Sequence, residues 1–291
     1  MPLPGAPTPI VPPRGAFVAL LAGNAVLACG PWFVRMADVG PVASGFWRLL
    51  LAVPFLLLIA RRTDRETARP GIGLLALIAL AGLFFALDLA AWHAGILRTR
   101  LANAALFGNT SSFFFVTYGF VVLRMLPDRR QSIAIAIALC GTMLLLGRSY
   151  SLSADHLLGD LLCLFAGLAY AGYMIGIDRV RGRMGTWPTL AVATIAGAIL
   201  LLPMALLIDG SIWPHRWGPL LMLAIGSQVV GQGLLVWTIR VMPPLLVGLG
   251  QLTQPAIAAA IGWIVFGERL TLPDGIGAIA ILSALLLLRK R

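Results

Sequence analysis

Apolar residues run along this chain in blocks. Stretches of about 16 to 24 residues carry almost no charge, and short segments rich in Arg, Gly and Pro separate them. Neither strict alternation nor a narrow apolar stripe describes them, so they do not read as half-buried strands or as helices lying on a soluble core. A hydrocarbon layer of about 30 Å needs roughly 20 apolar residues to be crossed by a helix, and the blocks have that length. They predict ten spans, at about 15–34, 42–60, 72–95, 101–123, 132–147, 157–177, 187–208, 217–239, 244–266 and 273–288. The divisions at Arg98–Arg100 and at Met242-Pro243-Pro244 are only a few residues long. Residues 1–14 hold six prolines and predict a disordered tail. No charged start, apolar core and A-x-A site occurs there, so no cleaved signal peptide is expected and the first span itself directs insertion.

The charges orient the spans. With the N-terminus inside, the inner segments hold Arg14, Arg61, Arg62, Arg65, Arg69, Arg124, Arg129, Arg130, Arg179, Arg181, Arg183, Arg240, Arg289, Lys290 and Arg291, fifteen in all. The outer segments hold Arg35, Arg98, Arg100, Arg148, Arg216 and Arg269, six in all. Positive charge favours the cytoplasmic side, so both termini are expected in the cytoplasm. Composition agrees with a membrane protein. Of 291 residues, 59% are hydrophobic and 11% charged, against about 25% charged in a soluble domain. The net charge of +11 would suggest a nucleic-acid partner in a soluble chain. Here the basic residues sit in short loops between spans, so the expected partners are the lipid bilayer and a small-molecule substrate, and no nucleic acid. Cys29, Cys140 and Cys163 all fall in apolar spans and form no CxxC pair; they read as buried small hydrophobes.

The chain also repeats itself. Gly15-x4-Leu20-x-Ala22-Gly23 in the first span matches Gly159-x4-Leu164-x-Ala166-Gly167 in the sixth, 144 residues on. Thr110 in the fourth span matches Thr253 in the ninth, 143 residues on. The second and seventh spans each follow a proline (Pro41, Pro188) and each contain one (Pro54, Pro203). The expected units are 15–148 and 149–291. Five spans is an odd number, so the two units enter the membrane in opposite senses. An inverted repeat of this kind marks a transporter with its substrate site near the midplane. One chain then completes the transport path, so a monomer suffices.

The ninth span onward reads Gln254-Pro255-Ala256, Gly262, Phe266-Gly267-Glu268 and Gly275-Ile276-Gly277. Together with Pro41, Arg48 and Arg61-Arg62 in and after the second span, this resembles EamA-type members of the drug/metabolite transporter superfamily, and among their branches the bacterial exporters of aromatic amino acids. The resemblance implies an all-α membrane protein of ten transmembrane helices in two inverted five-helix repeats, carrying small metabolites outward across the inner membrane. One departure is plain: after the fourth span, where many members place Gly-Glu, this chain has Arg124-Met125.

Polar residues within spans are costly in lipid and so tend to face the bundle interior. Asp88 is the one carboxylate well inside a predicted span, with Trp92 a turn further on the same face and His93 beside it. Arg48 lies near the outer end of its span, where its long side chain is expected to snorkel outward. Asn103, Asn109, Thr110, Ser111 and Ser112 mark the fourth span, Gln228 and Gln232 one face of the eighth, Gln251, Thr253 and Gln254 the ninth, and Asn24 the first. Pro255 frees a backbone carbonyl one turn earlier. Tyr170, Tyr173 and Trp237 add aromatic surface, whereas Phe113-Phe114-Phe115 reads as packing or lipid contact and Trp187, Trp213 and Trp217 as interface anchors. The expected substrate-binding set is Asn24, Asp88, Trp92, His93, Asn109, Tyr170, Tyr173, Gln228, Gln232, Trp237 and Gln254, around a cavity suited to a neutral or zwitterionic solute.

Other chemistries lack their parts. A phosphate-binding Walker loop needs a lysine, and the only lysine is Lys290. His93, His156 and His215 are far apart, so no metal site or other cofactor is expected. No G-x-S-x-G occurs, and a single intramembrane carboxylate is a poor basis for hydrolysis. The inverted repeat favours a carrier over a passive pore or an intramembrane lipid-modifying enzyme; beside amino acids, the solutes expected of this fold include a drug, a nucleobase or another small metabolite.

Overall fold

A computed structural model describes residues 12–13, 15–63, 70–99, 101–147, 154–266 and 271–289. Most of the 1–14 tail and the Gly267-Glu268 motif lie outside the described residues, among which there is no strand. The first apolar block forms α1 (Ala16–Ala28) and α2 (Gly30–Met36); then come α3 (Pro41–Thr63) and α4 (Ile72–Gly95). The fourth block forms α5 (Leu101–Gly108) and α6 (Thr110–Leu123), followed by α7 (Arg129–Gly147). A 3-10 turn (Ala154–His156) leads into α8 (Leu157–Arg179), and α9 is Thr186–Ile208. The eighth block comprises α10 (Trp217–Met222), a π-helical segment (Leu223–Gly231) and α11 (Gln232–Val241). α12 (Pro244–Gln251), α13 (Thr253–Phe266) and α14 (Leu272–Arg289) complete the chain.

Eight stretches of the described residues are long and apolar enough to cross a membrane, from Ala16–Met36 to Pro244–Ile261. Leu272–Leu288 is apolar but shorter, and α7 is not among the eight. The outward faces are what lipid requires: Leu58, Ile199, Leu207, Ile264 and Ile279 are all half or more exposed. Cys163 is buried as expected, but Cys140 is exposed, because its face of α7 is turned away from the bundle.

The packing is paired. α3 lies against α9, α6 against α12 and α7 against α14; α4 packs on α8 as α1 packs on α11, and on α9 as α3 packs on the π segment. Each relation survives exchanging the first five blocks for the last five. Close contacts rest on small residues. A Cβ on Gly82 would overlap the Ala193 carbonyl, and Gly141 and Gly277 are reciprocal, each Cβ falling within 2.8 Å of the other's carbonyl oxygen.

Breaks recur at the same offset. α5 gives way to α6 at Asn109, and α12 to α13 at Leu252, 143 residues later. The hydroxyl of Thr110 donates to the Phe107 carbonyl and that of Thr253 to the Gly250 carbonyl, both at 2.6 Å. A threonine bonding back three residues competes with the helical ladder and bends it; at the second break Pro255 also removes a donor.

The two ends of the bundle are held differently. At one end, the Ala43 amide donates to Asp209 Oδ2 at 2.7 Å, Trp47 Nε1 to the Ile212 carbonyl at 2.6 Å, and the His215 and Arg216 amides to Asp38 Oδ2 at 3.0 Å. At the other, Arg181 Nη2 donates to Asp178 Oδ1 and to the carbonyls of Ile239 and Met242. The Tyr118 hydroxyl donates to Asp178 Oδ2 at 3.1 Å, and the Arg179 guanidinium lies 5.8 Å from the Tyr118 ring centroid. Gly119 meets Pro244 there.

Candidate functional site

Between the breaks lies a cavity of about 180 Å³. Its wall takes Leu27, Ala28, Gly30 and Pro31 from the end of α1 and start of α2, Arg48 from α3, and Phe85, Asp88, Leu89 and Trp92 from α4. Ala104, Ala105, Gly108, Asn109, Ser111 and Ser112 come from α5, α6 and the break between them, Tyr170 from α8, Gln232 from α11, and Gln251, Gln254, Pro255 and Ala258 from α12 and α13. These positions lie toward the end where Pro41, His93 and Asp209 meet. The Arg181 cluster lies at the opposite end.

Several lining residues are repeat partners. Gly108 and Gln251, Ser111 and Gln254, and Ser112 and Pro255 are each 143 apart, and Asp88 and Gln232 are 144 apart. The cavity therefore straddles the relation that pairs the blocks, where binding sites of repeat-built carriers form.

Six of the expected residues line this wall: Asp88, Trp92, Asn109, Tyr170, Gln232 and Gln254. Asp88 and Trp92 are one turn apart on α4, which is why they share the face. Asn109 Nδ2 donates to the Ala105 carbonyl at 2.6 Å and so braces the first break. Gln232 Nε2 donates to the Tyr170 hydroxyl at 3.1 Å, and Gln254 Nε2 to Gln251 Oε1 at 2.8 Å.

The other five stand elsewhere. Asn24 Nδ2 donates to the Gly250 carbonyl at 2.7 Å and to Thr253 Oγ1 at 3.0 Å, and its Oδ1 accepts from Gln254 Nε2 at 3.2 Å. It holds the second break from behind. Gln228 Oε1 accepts from Arg48 Nε at 3.2 Å while its Nε2 donates to Thr194 Oγ1 at 3.0 Å. His93 Nδ1 sits 2.9 Å from both Ser44 Oγ and the Pro41 carbonyl. Tyr173 stacks on Phe85 at 4.7 Å, and Trp237 packs half-buried against the main core.

Arg48 departs from its expected place. It is 5% exposed and faces the cavity instead of snorkelling outward. α3 presents an unbroken buried run from Val42 to Leu49, so this stretch is surrounded by other helices. The Arg48 guanidinium rests 5.6 Å from the Phe85 ring centroid. Asp160 was also missed: it is 3% exposed and accepts from Thr99 Oγ1 at 2.5 Å and Asn103 Nδ2 at 3.0 Å. Its partners come from another block, so span position alone gave no signal. Two polar atoms of lining residues, Gln232 Oε1 and Ser112 Oγ, are buried with no hydrogen-bond partner among the described residues. Leaving such a group unpaired costs about 1–3 kcal/mol, which a polar ligand can recover.

Residues 14–147 and again 157–290 match the EamA-like transporter family. The chain belongs to that family. The two matches start 143 residues apart, the offset seen in the breaks and the cavity wall. Family membership makes this a multi-pass membrane transporter with a small-molecule substrate. An uncharacterized transporter of Archaeoglobus fulgidus is 26% identical over 263 residues, covering 88% of this chain and 89% of that one. Threonine/homoserine exporters RhtA of Escherichia coli and Salmonella typhimurium are 30% and 29% identical over 139 and 152 residues. The matched part spans about half the length of those exporters, 47% and 51%. A solved crystal structure superposes with a TM-score of 0.75 over 94% of both chains at 15% identity, a likeness of fold.

Proposed function

We propose that this EamA-family transporter is a secondary exporter of neutral amino acids, aromatic ones included, working in the bacterial inner membrane by alternating access. The carrying observation is the cavity itself, a small chamber whose wall mixes amides, aromatic rings and one charge of each sign. Phe85, Trp92 and Tyr170 supply apolar surface for a side chain, as ligand pockets generally do. The half-chain similarity to the threonine/homoserine exporters supports an amino-acid substrate. In this reading all ten helical blocks span, both termini are cytoplasmic, and 15–148 and 149–291 are the two units that rock. In the cycle we propose, the cavity, which lies nearer the Pro41–Asp209 end, exchanges with the outside there, and the Tyr118–Asp178–Arg181 cluster closes the cytoplasmic end. Export then requires that cluster to part while the other end closes.

The test is flux in liposomes containing only this protein, using a panel of labelled aromatic, aliphatic and charged amino acids with and without a pH gradient. Saturable flux of neutral members is expected. No flux of any amino acid would overturn the substrate assignment.

A further inference from the structure

Arg48 and Asp88 face the same cavity without touching. Among the described residues the only ion pair is Arg181 with Asp178, and no hydrogen bond reaches the Asp88 carboxylate. Opposite charges in a buried chamber attract strongly, yet these two side chains are not in contact. Here the guanidinium is held back. Its Nε donates to Gln228 Oε1 and its face rests on Phe85, one turn before Asp88 on α4. Gln228 is itself oriented by its other amide atom, which donates to Thr194 Oγ1 at 3.0 Å. The arrangement keeps the guanidinium and the carboxyl group apart, both lining the cavity.

We propose that Arg48 and Asp88 are the specificity-determining pair of this site, Arg48 receiving the carboxylate and Asp88 the ammonium of a zwitterionic amino acid. The proposal rests on the carrier reading above. A ligand bearing both charges satisfies both side chains. An amine alone leaves Arg48 unmatched in a cavity walled by Phe85 and Trp92, and a carboxylic acid alone leaves Asp88 unmatched. Sites that hydrogen-bond a particular group reject analogues lacking it far more strongly than apolar pockets reject a missing methylene. The side chain of the amino acid would lie along Trp92 and Tyr170, where the wall is tolerant, so the clamp selects the class and not the member.

The test is competition in protein-only liposomes. Uptake of labelled L-threonine is challenged with its decarboxylated amine and its deaminated hydroxy acid, and uptake of L-tryptophan with tryptamine and indolepropionate. In the native protein the unlabelled amino acid should compete at least about 10-fold better than either half-analogue, in line with such rejection. Arg48→Gln should erase the preference over the amine while keeping that over the acid; Asp88→Asn should do the reverse. A merely structural role for either residue would lower all competitors together. Native flux competed equally by amine or acid would keep the carrier and overturn the clamp. Flux of neither amino acid would overturn the amino-acid carrier reading and the clamp with it. The native competition decides the matter even if a variant fails to insert.

Discussion

Arg181 is the most informative residue to remove. Its Nη2 reaches Asp178, the Ile239 carbonyl and the Met242 carbonyl, the last at 2.8 Å. It thereby ties the end of α8 to the end of α11 and the turn into α12. Met at this position keeps the apolar bulk and deletes every one of those bonds. A hydrogen bond to a charged group contributes about 1.5–3 kcal/mol. Three simple additions would overstate the loss, because the bonds share one nitrogen and the Arg181 side chain is 20% exposed. A net loss of about 2–4 kcal/mol is reasonable for a partly exposed charged cluster. At about 1.4 kcal/mol per factor of ten, the closed-to-open ratio at this end should fall by about 30-fold to 1,000-fold.

Spin labels at Leu123 and Arg183, both exposed at that end, report the opening as a distance distribution in a background without native cysteines. The parent protein should show one dominant short population. Arg181→Met should populate a longer distance, and Asp178→Asn should do so more weakly, since Arg181 keeps its two carbonyl bonds. The double variant should open little further than Arg181→Met alone, because the pair acts as one unit. An unchanged distribution in Arg181→Met, with helical content and melting intact, would show that the cluster does not hold this end shut.

Asn109→Leu or Gln254→Leu should abolish saturable flux while leaving membrane insertion intact, and normal flux through both would remove them from the site. Gly141→Val should destabilise the α7–α14 contact, since even its Cβ would come within 2.8 Å of the Gly277 carbonyl; overpacking of this kind costs about 1–3 kcal/mol, and an unchanged melting temperature in detergent would contradict it. Reporters fused before residue 12 and after residue 291 should both read cytoplasmic, and a split result would overturn the span count.

Much of the helical layout was legible because lipid imposes a simple rule on composition. The blocks at 72–95 and 187–208 reappear as Ile72–Gly95 and Thr186–Ile208, bounded by charge and proline. The break at Cys29 was not legible, since apolar content does not change across it; those at Asn109 and Leu252 coincide with polar clusters that read as cavity lining, with Pro255 the one hint of an interrupted ladder. Thr110 and Thr253 did stand out as repeat partners, but a matching pair does not announce that its hydroxyls turn inward on the helix. Arg48 was misplaced for a related reason. Every face of its block is apolar, so position along α3 fixed its depth and said nothing about whether helix or lipid lay opposite. Asp160 likewise depended on Thr99 and Asn103, which only the folded chain brings near.

The cavity is symmetric in framework and asymmetric in chemistry, and on the proposed amino-acid reading the asymmetry has a use. At each repeat pair on the wall the two blocks offer different groups. Gly108 stands where the later unit has Gln251, Ser111 where it has Gln254, and Asp88 where it has Gln232. Both charges come from α3 and α4, while α9, the partner of α3, carries none between Thr186 and Ile208. The amides Gln232, Gln251 and Gln254 come from the later blocks. Matched helices and matched breaks would allow two arrangements of similar energy, which the proposed rocking needs. A small amino acid, the substrate we propose, has distinct ends, so a wall with identical halves would present it with two half-fitting sites in place of one that fits. Divergence at the wall, with packing kept alike behind it, supplies a single oriented site within a framework that can still exchange its open end.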